Sequence, residues 1–410
     1  MRLRISVLIV VIACVANAHA SGADDVLAAC ASVSRHGLTT AVTVKNDSIV
    51  LDIAAPDGKT SHLTLGTAPR DSSHDSGCSA YSSHDDELVA VGIGSYSAQP
   101  RLALGSAYGA QRFTRLQVAV ADVRQAKWIS NFDVDPRPDF VPASLAGFLG
   151  DTEQIVVAGV HIRTGEQVVG SFASLLFNAT GNRISATPVV RNPATTTDNL
   201  RVYPDALHNR LWFFSCTFPR IKKPHVLVCP ITVTSLVGEE QSVITFDPTT
   251  YRYKSEALWV MPSVFAALDS TSILVAETVS GNDTVWRVDV QNHTIESLVI
   301  KHHFLKYDAM RQAALSPDGQ VLGLLLQQMT VRFPYFVDNY IFTGTDIVVL
   351  QVNPFRVVAT IPHKRSGFAT GLAIGHQRGK ASILVYRGGL HEHLYRGGEY
   401  EHVAVSDSRP

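Results

Sequence analysis

Short hydrophobic runs separated by turn residues are the feature that most constrains this chain of 410 residues. The runs are rich in Val, Ile, Leu and aromatic residues, are mostly five or six residues long, and are flanked by Gly, Asp, Asn, Ser or Pro. That pattern is typical of β-strands joined by turns. One segment alone, Ala23–Val33, has a short helical pattern. The sequence therefore predicts an all-β chain, and the predicted strands include Ala41–Val44, Ser48–Ile53, Leu88–Ile93, Gln117–Ala121, Gln154–Ala158, Arg210–Ser215, Ser272–Glu277, Thr284–Val288, Val321–Leu326, Asp346–Val352 and Ser382–Tyr386.

Two phrases repeat along the chain. In the first, a strand ends at a polar residue and a turn follows, at Asp122, His161, Asp247, Asp289 and Asn353. The gaps are 39, 86, 42 and 64 residues, of which 86 is two units of 43 and 64 is one unit plus an insertion. In the second, an apolar residue, a polar turn and a hydrophobic strand follow one another, at 150–155, 268–273 and 314–322. A unit of about 40–45 residues with about four strands is the period of a propeller blade.

The segment Leu315-Ser316-Pro317-Asp318-Gly319, with the hydrophobic strand after it, resembles the blade-entry phrase of WD-repeat-like and related bacterial β-propellers. The resemblance implies one β-propeller domain over residues 37–410, after a lead-in at 21–36. We expect seven four-stranded blades, with six or eight as the alternatives. Proteins of this group include secreted binding proteins, lactonases and quinoprotein dehydrogenases, so the resemblance implies a shape and little chemistry.

Residues 1–20 have the pattern of a secretory signal peptide. Arg2 and Arg4 precede an apolar stretch at Ile5–Ala16, and Ala18-His19-Ala20 supplies a cleavage pattern before Ser21. The apolar stretch is shorter than the roughly 20 residues that a transmembrane helix needs. We therefore expect a secreted or periplasmic protein with no membrane span in the mature chain.

Four cysteines follow the predicted leader, and an even number in an oxidising compartment favours two disulfides. Three pairings are possible. Cys216–Cys229 is the preferred pair because two β-runs flank a Pro-rich tip between them, and Cys30–Cys78 then follows by elimination. The polar segment 72–86 is rich in Ser. We predict that it forms a loop held in place by Cys78.

Charge and motifs exclude several functions. Lys and Arg number 35 against 36 for Asp and Glu, so no net field favours nucleic acid. The hydrophobic share of 46% against 17% charged residues predicts a large core. No nucleophile elbow, His-Glu-x-x-His, dinucleotide glycine fingerprint or phosphate-binding loop occurs. No cofactor is predicted.

Two segments are candidates for partner contact. The tip between Cys216 and Cys229 contains Arg220, Lys222 and Lys223, which fit an acidic partner or a glycan; the alternative is a charged turn that keeps a hairpin soluble. An aromatic segment contains Phe333, Tyr335, Phe336 and Tyr340, which fit a recognition surface; the alternative is a strand pair packed between blades.

The C-terminus predicts three short strands at 382–387, 390–396 and 399–405, joined by Gly-Gly turns. His391 and His393 would share a face of the middle strand, and His402 or Glu399 could join them from its neighbour, giving a divalent-metal site of the kind that suits Zn or Ni. The alternative is a solvated outer strand with cross-strand Glu, His and Arg pairs. Four Asn-x-Ser/Thr sequons occur, at Asn46, Asn178, Asn282 and Asn292.

These observations predict an exported binding or scaffold propeller that contacts a protein or carbohydrate partner through loops on one face. The enzyme alternative is a metal-dependent lactonase-like hydrolase, or a quinoprotein-like oxidoreductase, with its site at the central channel. A lactonase would place Glu, Asp and Asn side chains together on the axis.

Overall fold

The computed structural model is all-β, as the sequence predicts. Within the residues it describes, it contains strands and turns but no helix, and therefore no helix that could cross a membrane. The described residues are 30–45, 48–67, 76–96, 113–135, 140–150, 152–161, 171–186, 190–191, 201–204, 210–214, 229–235, 240–246, 263–266, 272–279, 282–289, 292, 294–301, 307–316, 318–331, 340–363, 368–377, 380–388 and 399–404.

The described strands pair antiparallel into seven sheets, each made of strands that follow one another in the chain. The first three sheets contain β1 Cys30–Val33, β2 Thr39–Lys45, β3 Ser48–Ala54 and β4 Thr60–Thr67; β5 Ser76–Ser82, β6 Leu88–Tyr96, β7 Phe113–Asp122 and β8 Lys127–Val134; and β9 Phe140–Phe148, β10 Ile155–His161, β11 Ser171–Phe177 and β12 Arg183–Ala186, with β13 Val190–Arg191 also paired to β11.

The other four sheets continue the same order. They contain β14 Arg201–Pro204, β15 Arg210–Phe214, β16 Cys229–Ser235 and β17 Glu240–Phe246; β18 Ser263–Ala266, β19 Ser272–Val279, β20 Asn282–Asp289 and β21 Thr294–Lys301; β22 Tyr307–Leu315, β23 Val321–Val331, β24 Tyr340–Gln351 and β25 Arg356–His363; and β26 Phe368–Gln377, β27 Lys380–Gly388 and β28 Glu399–Ala404. We call the strands of each sheet a, b, c and d in chain order.

The a strands form a closed ring. Each contacts the a strand of the next sheet, from β1 through β5, β9, β14, β18 and β22 to β26, and β26 contacts β1. Sheets of four consecutive antiparallel strands, arranged around an axis with the first strand innermost, make a β-propeller. The ring places the first and last sheets of the chain side by side.

Apolar residues between neighbouring sheets form the core. One cluster joins the first and second sheets through Val42, Leu51 and Val91, which are almost fully buried. Similar clusters join the second sheet to the third, the fifth to the sixth and the sixth to the seventh. A small cluster around Val33 and Leu384 joins the last sheet to the first. Full burial of a Leu or Val side chain contributes roughly 1.5–3 kcal/mol, so the stability of each sheet depends on its neighbours.

The blade-entry phrase forms the same a-to-b turn in two sheets. Ser316 Oγ accepts a hydrogen bond from Val321 N at 2.9 Å and donates to Asp318 Oδ1 at 2.6 Å. Ser83 makes the same pair of bonds, with Leu88 N at 2.9 Å and Asp85 Oδ1 at 2.7 Å. This turn and the strand β5 occupy most of the segment predicted to be a Ser-rich loop, so that prediction is wrong: Cys78 lies in a strand.

The strand-end phrase is less regular than predicted. Asp122, Asp289 and Asn353 each lie at the end of a c strand or just after it. His161, however, ends the b strand β10, and Asp247 follows the d strand β17. A polar residue followed by a turn can end any strand. The phrase therefore does not indicate whether a strand is the b, c or d strand of its sheet.

Two predictions at the chain ends need correction. Cys30–Val33 is the strand β1, paired with β2 along its whole length, so the helical expectation there is wrong and sheet structure begins before residue 37. Pairing with a neighbouring strand outweighs a weak local helical pattern. At the C-terminus β27 pairs directly with β28, with Arg387 opposite Glu399, so the predicted order of three adjacent strands, with 390–396 in the middle, is wrong; residues 389–398 themselves lie outside the described residues.

Candidate functional site

The direction of the strands gives the propeller two different ends. Residues 135–139 join β8 to β9 and can span at most about 20 Å, less than the roughly 30 Å length of a nine-residue strand such as β9. An a strand therefore begins at the end where the preceding d strand finishes. One end, the a–b end, has the a-to-b and c-to-d connections; the other, the b–c end, has the b-to-c and d-to-a connections.

Long connections concentrate at the b–c end. At the a–b end the longest connection is 149–154, whereas the b–c end has 97–112, 215–228 and 247–262. Short turns close hairpins, while longer connections on a rigid scaffold are where proteins usually carry binding residues. The b–c end is therefore the candidate functional end of this propeller.

Both predicted contact segments belong to connections at the b–c end. Arg220, Lys222 and Lys223 fall between the b strand β15 and the c strand β16 and lie outside the described residues. Phe333, Tyr335 and Phe336 fall between β23 and β24, again a b-to-c connection, and also lie outside them.

Tyr340 is described, as the first residue of β24, where its backbone is paired with Val331. Because β15 and β23 are both b strands, they end at the same end of the ring, and the basic and aromatic segments both start there. The two segments are far apart in the chain, so the sequence alone did not indicate that they share an end.

The histidines of the predicted metal site are only partly placed. His402 lies in β28 opposite Leu384 of β27. His391 and His393 lie between β27 and β28, outside the described residues, so the three-histidine site stays a prediction. Among the residues that the structure describes, no group of three or more His, Cys, Asp or Glu is arranged to hold a metal ion.

The Cys30–Cys78 disulfide is present and joins two innermost strands. Cys30 begins β1 and Cys78 lies in β5, so the bond links the a strands of the first and second sheets. Of the other predicted pair, Cys229 begins β16, while Cys216 lies outside the described residues.

The a strands that surround the axis contain few acidic residues. Across the described a strands the one carboxylate is Asp308 of β22. A lactonase-type site would need several oxygen ligands to converge there. These strands do not supply them, so any such ligands would have to come from the connections.

A half-buried carboxyl group lies between two a–b turns and was not singled out by the sequence. Asp86 has a φ of 62°, a backbone conformation rare outside glycine, Asn and Asp. Ser34 OγH, from the turn of the first sheet, donates a hydrogen bond to Asp86 Oδ2. Asp86 Oδ1 is buried without a hydrogen-bond partner among the described residues.

Burial raises the pKa of Asp86, because removal from water disfavours the charged carboxylate. The hydrogen bond from Ser34 and the nearby His36 oppose this shift but do not cancel it. The pKa of the neighbouring Asp85 is lowered instead. Its partial burial acts to raise the pKa, but hydrogen bonds from Ser83 and from Glu87 N stabilise the carboxylate and lower the pKa overall. The pKa values of these two adjacent carboxyl groups are therefore shifted in opposite directions. Asp86, whose pKa is raised, lies at the junction between two sheets.

An open depression of about 170 Å³ lies on the outer strands β20 and β21. It is lined by Arg287, Asp289, Thr294 and Glu296, and Arg287 is paired across the strands with Glu296. Specific small-molecule sites are mostly apolar with a few polar groups. The described residues that line this depression are all polar or charged, and it is a weak candidate for a ligand site.

Neither a protein-family model nor a curated protein sequence matches this chain. Among solved structures, hydrazine synthase from Kuenenia stuttgartiensis is similar over 92% of this chain and 96% of its own, with 11% identity and a TM-score of 0.49. The Dos1 propeller is similar over 92% of this chain and 84% of its own, with 12% identity and a TM-score of 0.40. TolB from Acinetobacter baumannii is similar over 81% of this chain and 65% of its own, with 14% identity and a TM-score of 0.38. Likenesses this distant indicate no activity for the chain.

Proposed function

We propose that this protein is an exported β-propeller that acts as a binding or scaffold module and contacts a protein or carbohydrate partner through its b–c end. The concentration of long connections at that end is the observation that carries the proposal. It is supported by the two contact segments, one basic and one aromatic, whose flanking strands β15, β16, β23 and β24 meet that end.

The export part of the proposal rests on two features. The signal-peptide pattern at residues 1–20 supports passage across a membrane. The Cys30–Cys78 disulfide supports an oxidising destination, because structural disulfides are rare in the cytosol.

The charge distribution makes the basic segment informative. The whole chain has a formal net charge of −1, so general attraction to polyanions is not expected. Retention of this protein on a polyanion column would therefore indicate a local patch of positive charge. Attraction between exposed charges weakens as salt screens them, so the salt needed for elution measures the contribution of that patch.

The test compares charge reversals at the two ends. Heparin and poly-glutamate columns serve as probes for a sulfated carbohydrate and an acidic polypeptide. We expect R220E/K222E/K223E to elute at lower salt than the wild type. The matched control is K59E/R124E/K127E, which should leave elution unchanged. Lys59 and Arg124 are exposed in c-to-d connections, and Lys127 is the exposed first residue of the d strand β8, so all three lie at the a–b end.

The two columns also separate the partner classes. Stronger retention on heparin favours a carbohydrate, and stronger retention on poly-glutamate favours an acidic protein. Equal elution of the wild type and R220E/K222E/K223E on both columns contradicts the proposal. Thermal unfolding of each variant verifies that the propeller is intact.

A further inference from the structure

Two Asn-x-Thr sequons occupy equivalent places in two sheets. Asn178-Ala179-Thr180 lies in the connection from β11 to β12; Asn292 lies in the connection from β20 to β21, and its sequon ends at Thr294, the first residue of β21. Both are c-to-d connections, so both sequons lie at the a–b end. The Asn-x-Ser/Thr pattern is the acceptor sequence for N-linked glycans in secreted proteins.

The Asn292 side chain is exposed at the tip of its hairpin, and Thr294 is exposed as well. Asn292 N donates to Asp289 Oδ1 and Asn292 Nδ2 donates to Asp289 Oδ2, each at 2.9 Å. An amide nitrogen that carries a glycan keeps one hydrogen. The folded hairpin can therefore hold a glycan at this position and retain a bond to Asp289.

The Asn178 side chain uses its oxygen to organise the turn. Asn178 Oδ1 accepts hydrogen bonds from Thr180 OγH and Asn182 N, both at 2.8 Å. Those bonds involve the oxygen, whereas a glycan bonds to Nδ2. Thr180 and Asn182 are exposed, so the outer side of the turn is open to solvent.

The inner side of the Asn178 turn is fixed against the second sheet. Ser130 OγH donates to Ala179 O at 2.5 Å. Gly181 has a φ of 85°, and a Cβ there would lie 2.6 Å from Phe132 Cδ1. With one side packed against β8 and the Oδ1 bonds on the other, the turn holds the partly exposed Asn178 in one arrangement.

We propose that Asn178 and Asn292 are N-glycosylated, an inference that rests on the export part of the proposed function. The co-reactant is an oligosaccharide linked to a lipid pyrophosphate. Asn Nδ2 attacks the anomeric carbon and loses a proton, the new N–C bond replaces the C–O bond to the pyrophosphate, and the lipid pyrophosphate leaves. Glycans at these two positions would lie at the a–b end, opposite the end proposed for partner contact.

The primary test uses the protein from its natural source. Peptide-N-glycosidase removes N-linked glycans and converts the acceptor Asn to Asp. We expect peptide mass mapping to find Asp at positions 178 and 292 after treatment and no conversion in peptides lacking a sequon. Unmodified Asn at both positions before treatment overturns the proposal.

Matched variants verify the assignment in a secreting eukaryotic cell. Thr294→Ala and Thr180→Ala should each lose one glycan-sized step in electrophoretic mobility, whereas Thr294→Ser and Thr180→Ser keep the acceptor pattern and should lose none. Identical mobility of the Ala and Ser variants contradicts the proposal. Failure of export is distinguished because the chain then stays in the cell with residues 1–20 attached, whereas failure of glycosylation alone gives a secreted, unmodified chain.

Discussion

Gly375 of β26 packs directly against Val33 of β1, so closely that a Cβ at position 375 would overlap Val33 Cγ1. The two residues are far apart in the chain but belong to neighbouring a strands. Val33 is 6% exposed and belongs to the small cluster that joins the last sheet to the first. The absence of a side chain at residue 375 lets the two sheets approach where the ring closes.

Gly375→Ala tests this contact. The added methyl group forces a shift at the ring closure, so we expect the free energy of unfolding to fall by about 1–3 kcal/mol. Chemical denaturation measures the change. Combining Gly375→Ala with Val33→Ala should cost less than the sum of the single changes, because the smaller side chain removes the overlap. Simple additivity in that cycle would contradict the role assigned to the pair.

Removal of the Cys30–Cys78 disulfide tests the link between the first two sheets. The bond closes a loop with a sequence separation of 48. Cys30→Ser/Cys78→Ser should lower the free energy of unfolding by about 2–5 kcal/mol, because the unfolded chain regains conformational freedom. Denaturation with and without reductant measures this effect. If the wild type and the double variant have equal midpoints without reductant, the bond contributes nothing to stability.

Asp86→Asn tests the raised pKa at the same junction. A folded-state pKa above 3.8 means that the folded protein binds this proton more tightly than the unfolded chain, so ionisation costs stability as pH rises from 3.8 through the folded pKa. Asn carries no charge and tolerates a positive φ. We expect Asp86→Asn to melt above the wild type at neutral pH, with the difference shrinking on acidification. Thermal unfolding over a pH series measures the difference.

Asp85→Asn is the matched control of opposite sign. The pKa of Asp85 is lowered, so its carboxylate adds stability above pH 3.8 that is lost as pH falls through the folded pKa. Asp85→Asn should therefore melt below the wild type at neutral pH and approach it in acid. A pH-independent offset for both variants would contradict the opposite shifts.

Ser316→Ala tests the blade-entry turn. Ser316 is 1% exposed, and its Oγ is the acceptor for Val321 N. Loss of the hydroxyl leaves a buried N–H unpaired and should cost about 1–3 kcal/mol. Ser83→Ala should cost a similar amount, since Ser83 makes the same bonds. Ser297→Ala, on the exposed side of β21, should change the free energy of unfolding by less than about 0.5 kcal/mol and serves as the control.

Local sequence was sufficient to locate strands. Each of the eleven strands predicted from hydrophobic runs between turns overlaps an observed one, because alternating or continuous β-branched residues between turn residues indicate local burial on a sheet. The second phrase was also informative: 150–155, 268–273 and 314–322 all fall at a-to-b connections. The phrase recurs at these connections because a Ser or Thr side chain that hydrogen-bonds to the backbone stabilises this kind of tight turn.

Local sequence was insufficient where contacts with a distant part of the chain decide the conformation or the pKa of a residue. The pattern at Ala23–Val33 did not reveal β1, whose extended form comes from pairing with β2 and packing against β26 and β5. Asp86 looked like one residue of a polar segment. Its raised pKa requires Ser34 and the buried setting between two turns, which chain order does not show.

By itself, the sequence determined the all-β class, the repeating unit, the positions of many strands and the pattern of an export signal, because these depend on residues close together in the chain. The tertiary structure alone decided which strands became innermost, that Gly375 meets Val33, and that the basic and aromatic segments start from the same end of the ring. Those relationships join residues far apart in the chain, and they arise because each thin sheet can bury its apolar faces only against the sheets beside it.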